Sequence, residues 1–189
     1  MTTIIQRTLV IPSGYASPSV ARYVWQLDDQ TRRLYEGTAD LTPEGLQWQS
    51  GPGYNTIGML FAHIAVAETH MAAVLLEGRS DSDVLGVLGI GPDDDGLPLP
   101  EDGRPPAVLA GKPLAFFKEL IDKARAETKR AVKALTEADL DRRTVRQPGD
   151  GSTREYNVDW SLYHMVEHLA GHRAQIHQLQ HLYARRAGS

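Results

Sequence analysis

His168 and His172 stand four apart in Tyr163-His164-Met165-Val166-Glu167-His168-Leu169-Ala170-Gly171-His172-Arg173-Ala174-Gln175-Ile176, a stretch whose apolar residues recur with helical period. Four residues advance a helix by little more than one turn, so both imidazoles face one way and can grip a single ion. His63 lies in a second segment with amphipathic helical spacing, Ile57-Gly58-Met59-Leu60-Phe61-Ala62-His63-Ile64-Ala65-Val66, and could complete a three-histidine set. Three protein ligands leave a tetrahedral ion one open position, which separates a catalytic zinc from a closed structural one.

Other residues compete for the same roles. The chain has seven histidines, and His164–His168 and His177–His181 repeat the spacing of four. Helical rise puts His181 about 20 Å along the axis from His168, too far for a shared ion. His164 is the serious rival, although three histidines at i, i+4 and i+8 drift by about 40° per step. His70 follows His63 by seven residues and reads as a rim histidine, and His177 and His181 read as surface or interface groups. Glu68 and Glu167 could hold an imidazole tautomer or simply face solvent. Arg173 is a candidate for binding an anionic substrate, and Tyr163 and Tyr23 are candidate pocket hydroxyls. Trp25, Trp48 and Trp160 read as core or interface filling.

Four long helices are expected to position these groups, over residues 18–37, about 56–77, about 113–135 and from about 159 to beyond 182. Ser17 and Pro18 mark the first start, Asn55 suits a cap for the second with Gly78 as its stop, and Pro113 suits a first helical position. With no comparable strand pattern, an all-α four-helix bundle is the expected fold, as one domain over residues 1–189. Residues 78–112, rich in Gly, Pro and Asp around Gly91-Pro92-Asp93-Asp94-Asp95-Gly96, read as a long loop or lid between helices two and three. Residues 144–156 read as a short hairpin before helix four, with Asp150-Gly151 as its turn. Residues 1–16 read as an extended N-terminal arm. Leu41-Thr42-Pro43-Glu44-Gly45-Leu46 and Leu135-Thr136-Glu137-Ala138-Asp139-Leu140 echo one another, which suggests two similar helical hairpins with His63 facing His168.

Composition removes several function classes. A formal charge of −4 without a basic block gives nucleic acid no electrostatic footing. The absence of cysteine rules out disulfides, thiolate–metal sites and a protein thiol nucleophile. The N-terminus lacks the apolar core of a signal peptide, and no apolar run nears the ~18 residues of a membrane span. A cytoplasmic protein with no membrane partner is the expectation.

Asn55-Thr56-Ile57-Gly58-Met59-Leu60-Phe61-Ala62-His63-Ile64-Ala65 resembles the second helix of the DinB/YfiT-like metalloenzymes. Glu167-His168-Leu169-Ala170-Gly171-His172-Arg173-Ala174-Gln175-Ile176 resembles their last, where two histidines four apart precede an arginine and a glutamine. The resemblance spans most of residues 18–185 in order and spacing. It implies a four-helix bundle, often a homodimer, with a divalent metal on His63, His168 and His172. It also implies, for some relatives, transfer or isomerisation with a low-molecular-weight thiol such as mycothiol or bacillithiol. Residues 78–112 depart from the family pattern by their length.

An ion with an open position lowers the pKa of bound water or thiol, so the deprotonated nucleophile exists at neutral pH. Zinc and nickel both accept imidazole. Without cysteine in the chain, any thiol arrives as a cosubstrate. No glutamate accompanies the triad as in His-Glu-x-x-His hydrolases, so hydrolysis is less supported. A metal-dependent transferase or hydrolase acting on a small-molecule substrate is thus one function class. A non-catalytic dimeric bundle with a structural metal, its shell closed by His164 or His70, is the other.

Overall fold

A computed structural model describes residues 8–99, 103–147 and 151–186. Four long helices form an all-α bundle: α1 (Pro18–Gly37), α3 (Ile57–His70), α5 (Leu114–Val132) and α6 (Val158–Arg185). Two short helices, α2 (Pro43–Gln47) and α4 (Ser82–Leu88), and a two-stranded hairpin of β1 (Arg143–Arg146) and β2 (Arg154–Asn157) complete the regular structure.

Side-chain oxygens mark the helix starts. Ser17 Oγ accepts from the Val20 N–H and itself donates to Glu137 Oε1, so the cap of α1 also ties it to the turn that follows α5. Thr56, not Asn55, caps α3 by accepting from Met59 N–H, and Asn157 caps α6 by accepting from Trp160 N–H. Helix α6 begins at Val158, directly after the hairpin. Pro113 is the residue before α5 rather than its first. The echoed motifs become two threonine-capped turns: Thr42 caps α2, and Thr136 forms a capping box with Asp139 at the 3-10 turn Glu137–Asp141.

Helix α3 is the axis of the bundle, packing on both α5 and α6, while α1 lies against α6. It is not amphipathic as its spacing suggested. Every residue of Ile57–Thr69 is buried except His63 and Ala67, and the next partly exposed position is His70. With its continuation it is a 20-residue helix, long and apolar enough by composition to cross a membrane (mean hydropathy 1.6), which exceeds the apolar runs expected from the sequence. Of its most apolar stretch, 83% is buried against the rest of the fold, as suits a central core helix. Positions 63, 67 and 70 form one narrow stripe, and that stripe opens to the site.

Past His70 the helix widens into a π-helical turn, Met71–Leu76, that ends at Gly78, whose φ of +69° suits glycine. Carbonyls of this segment hold the hairpin: Thr144 Oγ1 donates to Leu75 O and Arg142 Nη2 donates to Leu76 O, each at 3.1 Å. The strands pair as expected, and the register sets Arg146 opposite Arg154. Asp150 of the expected turn lies outside the described residues, as do residues 1–7 of the expected arm.

The segment 78–112 is not loop throughout. It contains α4, whose Val84 and Leu88 are buried, and a 3-10 turn, Ala107–Leu109. Its aspartate-rich centre folds back against α3. Gly96 sits at φ +73°, and a Cβ there would strike the Pro106 ring and come within 3.1 Å of Met59 Cε. That close approach carries Asp95 to the histidines.

Candidate metal centre

Helix α3 contributes His63 and helix α6 contributes His168 and His172, and one ring nitrogen from each lies within 4.8 Å of the other two. His168 Nε2 stands 3.0 Å from His63 Nε2 and 3.1 Å from His172 Nε2. Two of the rings are held from behind. His63 Nδ1–H donates to Asp95 Oδ2 at 2.8 Å, and His172 Nδ1–H donates to Gln175 Oε1 at 2.8 Å. A neutral imidazole has one proton, so these two rings turn unprotonated Nε2 lone pairs inward. His168 Nε2 can donate to one of them at most, which leaves the other lone pair at hydrogen-bond distance with no proton to accept. A cation at the common point satisfies all three. Two nitrogens at about 2.0–2.1 Å from a tetrahedral ion lie about 3.3 Å apart, close to the spacing present, so the donor set fits a divalent metal.

Electrostatics favours the same state. Burial, followed by the neighbouring rings of His172, His63 and His164, pushes the His168 pKa down to about 3. Burial also lowers that of His172, against the hydrogen bond to Gln175, which raises it. Both are therefore neutral and ligand-competent at physiological pH. Asp95, 2% exposed, spends its second oxygen on the Leu97 N–H at 2.9 Å. Outer acceptors of this kind fix the tautomer and the orientation of a metal-binding ring.

A cavity of about 490 Å³ opens beside the triad. His63, His168 and Asp95 form one part of its wall, Val66, Met71 and Leu75 an apolar part, and Arg146, Arg154, Tyr156, Trp160 and His164 another. A larger groove, lined by Arg173, His177, Trp25 and several α1 charges, runs along the α1 side of α6 and does not include the triad.

A DinB superfamily model matches residues 26–176, most of the chain and all three histidines. The chain belongs to the DinB superfamily. No curated protein matches it significantly. The family and the three-histidine cluster together are compatible with a metal-binding protein.

Within this DinB bundle the remaining sequence candidates divide. His164 stacks on Trp160 at 4.6 Å between centroids and pairs through Nδ1 with Glu167 Oε2. His70 binds Asp81 and Arg146. Neither joins the triad among the described residues. Glu68 holds no imidazole; it pairs in the core with Arg125. Arg173 donates to Gln30 on α1, and Tyr163 is half exposed; neither lines the cavity beside the histidines. Tyr23 donates to Asp159, which with burial pushes its pKa up to about 12. Trp160, expected as core or interface filling, is not in the core: it is 41% exposed and lines the cavity. Asp95 escaped sequence reasoning because it is one of three consecutive aspartates in a glycine-bounded loop, with no spacing relation to any histidine.

Proposed function

We propose that this DinB-superfamily chain is a divalent-metal-dependent enzyme that transfers a low-molecular-weight thiol cosubstrate to a small-molecule substrate. Zinc or nickel would be held by His63, His168 and His172. The observation that carries this reading is the cavity beside the triad: two of the three rings form its wall, and no fourth donor closes the set among the described residues. His164 and His70, the side chains that would have made a closed structural site, are engaged elsewhere.

When bound, a divalent ion supplies positive charge that lowers the pKa of a thiol or water brought to its open position. The protein's own residues prepare that position. Asp95 and Gln175 aim two Nε2 lone pairs inward, burial keeps His168 neutral, and Val66, Met71 and Leu75 give the cavity an apolar part of its wall. Transfer is favoured over hydrolysis because Asp95 is the one carboxylate lining the cavity among the described residues, and both its oxygens are committed. No carboxylate base then accompanies the triad as the glutamate does in His-Glu-x-x-His hydrolases. A homodimer belongs to the same proposal, on the family resemblance.

Elemental analysis of untagged protein tests this reading, beside His63→Ala and His168→Ala. About one zinc or nickel per chain, lost in both folded variants, is expected. Folded wild type that takes up neither metal overturns it. With the metal established, thiol consumption against a panel of electrophiles should depend on it.

A further inference from the structure

Among the described residues, each charged side chain lining the cavity beside the triad already has a partner. Arg146 Nη1 donates to His70 Nε2 at 2.8 Å, and its Nη2 lies 3.5 Å from Asp81 Oδ2. Arg154 Nε donates to Ser152 Oγ at 3.3 Å. Asp95 gives one oxygen to His63 and the other to the Leu97 N–H. The aromatic part of the wall is equally occupied. Trp160 has the Tyr156 ring at 5.0 Å and the stacked His164 ring at 4.6 Å, and His164 Nδ1 pairs with Glu167.

The α3 side of the cavity has no such commitments. His63, Val66, Ala67, His70 and Met71 recur at intervals of three and four, so they share one helical face, and all five line the cavity. Leu75 on the π-helical turn extends this wall, and Pro92 and Leu97 of the returning loop add to it. From His63 to Met71 the helix rises about 12 Å, so the aliphatic surface starts at a ring of the triad and runs well past it. Apolar surface is stabilised by any apolar body that removes it from water, and it asks for no charge or donor in return. A cavity of about 490 Å³ is of the size that holds a small molecule.

We propose that the small-molecule substrate has an uncharged aliphatic body, laid along Val66, Ala67, Met71 and Leu75 beside the metal position. Placing this body in a metal-dependent reaction rests on the reading above; the selection itself stands on the wall. A charged body would have to break one of the existing pairs or give up its water without a new partner, and either is costly. Ala67 and Met71 are the specificity-determining residues, one and two turns beyond His63 on its face.

Calorimetric titration of the full-length, metal-loaded protein with ethanethiol, butanethiol, hexanethiol and 6-mercaptohexanoate tests the proposal, with metal content measured on the same samples. The thiol head reaches the metal's open position, and the chain reads the wall. Affinity should rise about three- to fourfold per added methylene. The carboxylate of 6-mercaptohexanoate should cost about tenfold or more against hexanethiol. Ala67→Leu, which fills the wall from within the cavity, should weaken hexanethiol about tenfold or more and ethanethiol little, with metal content unchanged. Met71→Gln, which keeps the shape but adds an amide, should flatten the dependence on chain length, its melting temperature showing that it folds. Affinity independent of chain length in the wild type overturns the proposal, as does equal binding of hexanethiol and 6-mercaptohexanoate, or a chain-length dependence that folded Ala67→Leu and Met71→Gln both leave intact. If the wild type holds no metal, the metal reading falls, and 1-hexanol against hexylammonium then reads the cavity. Saturable binding of 1-hexanol, preferred over the cation and weakened by Ala67→Leu, keeps the proposal, and its absence overturns it.

Discussion

Asp95 Oδ2 accepts the Nδ1 proton of His63 at 2.8 Å, joining an irregular loop to the central helix of the bundle. The contact is almost fully buried on the aspartate side and is shared with the Leu97 backbone N–H. It leaves His63 Nε2 with a lone pair directed at His168 and His172.

Asp95→Ala removes that orientation and should weaken metal affinity about 10- to 100-fold. Competition with a chelator of known affinity measures it, with circular dichroism to show that the helices persist. Asp95→Asn, whose amide oxygen can still accept, should lose less. Unchanged affinity in Asp95→Ala would mean that the hydrogen bond has no part in holding the site.

Acid should destabilise the metal-free protein through His168. Its folded pKa of about 3 lies well below the ordinary value of about 6.5. Between these values the unfolded chain binds a proton that the folded chain does not, so stability falls as pH drops through this window and is level above it. His172, also lowered, acts in the same direction. The slope from one such group is at most about 1.4 kcal/mol per pH unit. Urea midpoints of chelator-treated wild type and His168→Gln, taken across the window, should show a shallower slope in the variant. Identical slopes would assign the acid sensitivity to other groups.

Arg125 and Glu68 should matter for stability and not for the metal. Arg125 donates through Nε and Nη2 to the two oxygens of Glu68 at 2.7 and 3.0 Å, and through Nη1 to Asp28 at 2.9 Å. Arg125→Met strands the Glu68 carboxylate in the core, which costs about 3–5 kcal/mol in such buried pairs. Adding Glu68→Gln should recover part of that loss in a double-mutant cycle. Metal content per folded chain should not change. Loss of metal in the folded Arg125→Met protein would restore Glu68 as a site residue.

Gly58 should tolerate no side chain. A Cβ there would meet Phe117 Cζ at 2.8 Å and the Leu46 carbonyl oxygen at 3.3 Å, and Phe117 is fully buried. Gly58→Ala is expected to cost about 1–3 kcal/mol as overpacking, despite alanine's better helix propensity. Thermal or urea unfolding reads this directly, and a stabilised variant would show that Phe117 has room to turn.

Much of the bundle was legible because its signals are local. Ser17-Pro18 announces α1, Gly78 stops the second helical segment at a positive φ, and residues 144–156, read as a hairpin, supply the paired strands β1 and β2. What misled was burial on every side. Helix α3 at the bundle axis carries almost no polar face, so its spacing said little about which residues look outward. Helix α4 went unseen because its seven residues sit among glycines and aspartates, and their stability comes from burying Val84 and Leu88 against the bundle.

The sequence alone determined the triad's types and half of its geometry. A spacing of four on one helix fixes how His168 and His172 face, whatever surrounds them. Tertiary structure decided the rest. It brought His63 across from another helix, chose Asp95 over Glu68 and Glu167 as the acceptor, and sent Arg173 to the α1 side while Arg146 and Trp160 took the cavity wall. Local spacing cannot carry such information. Which residues meet across a bundle depends on how helices pack and how a long connection returns, and those follow from burying the whole apolar surface at once.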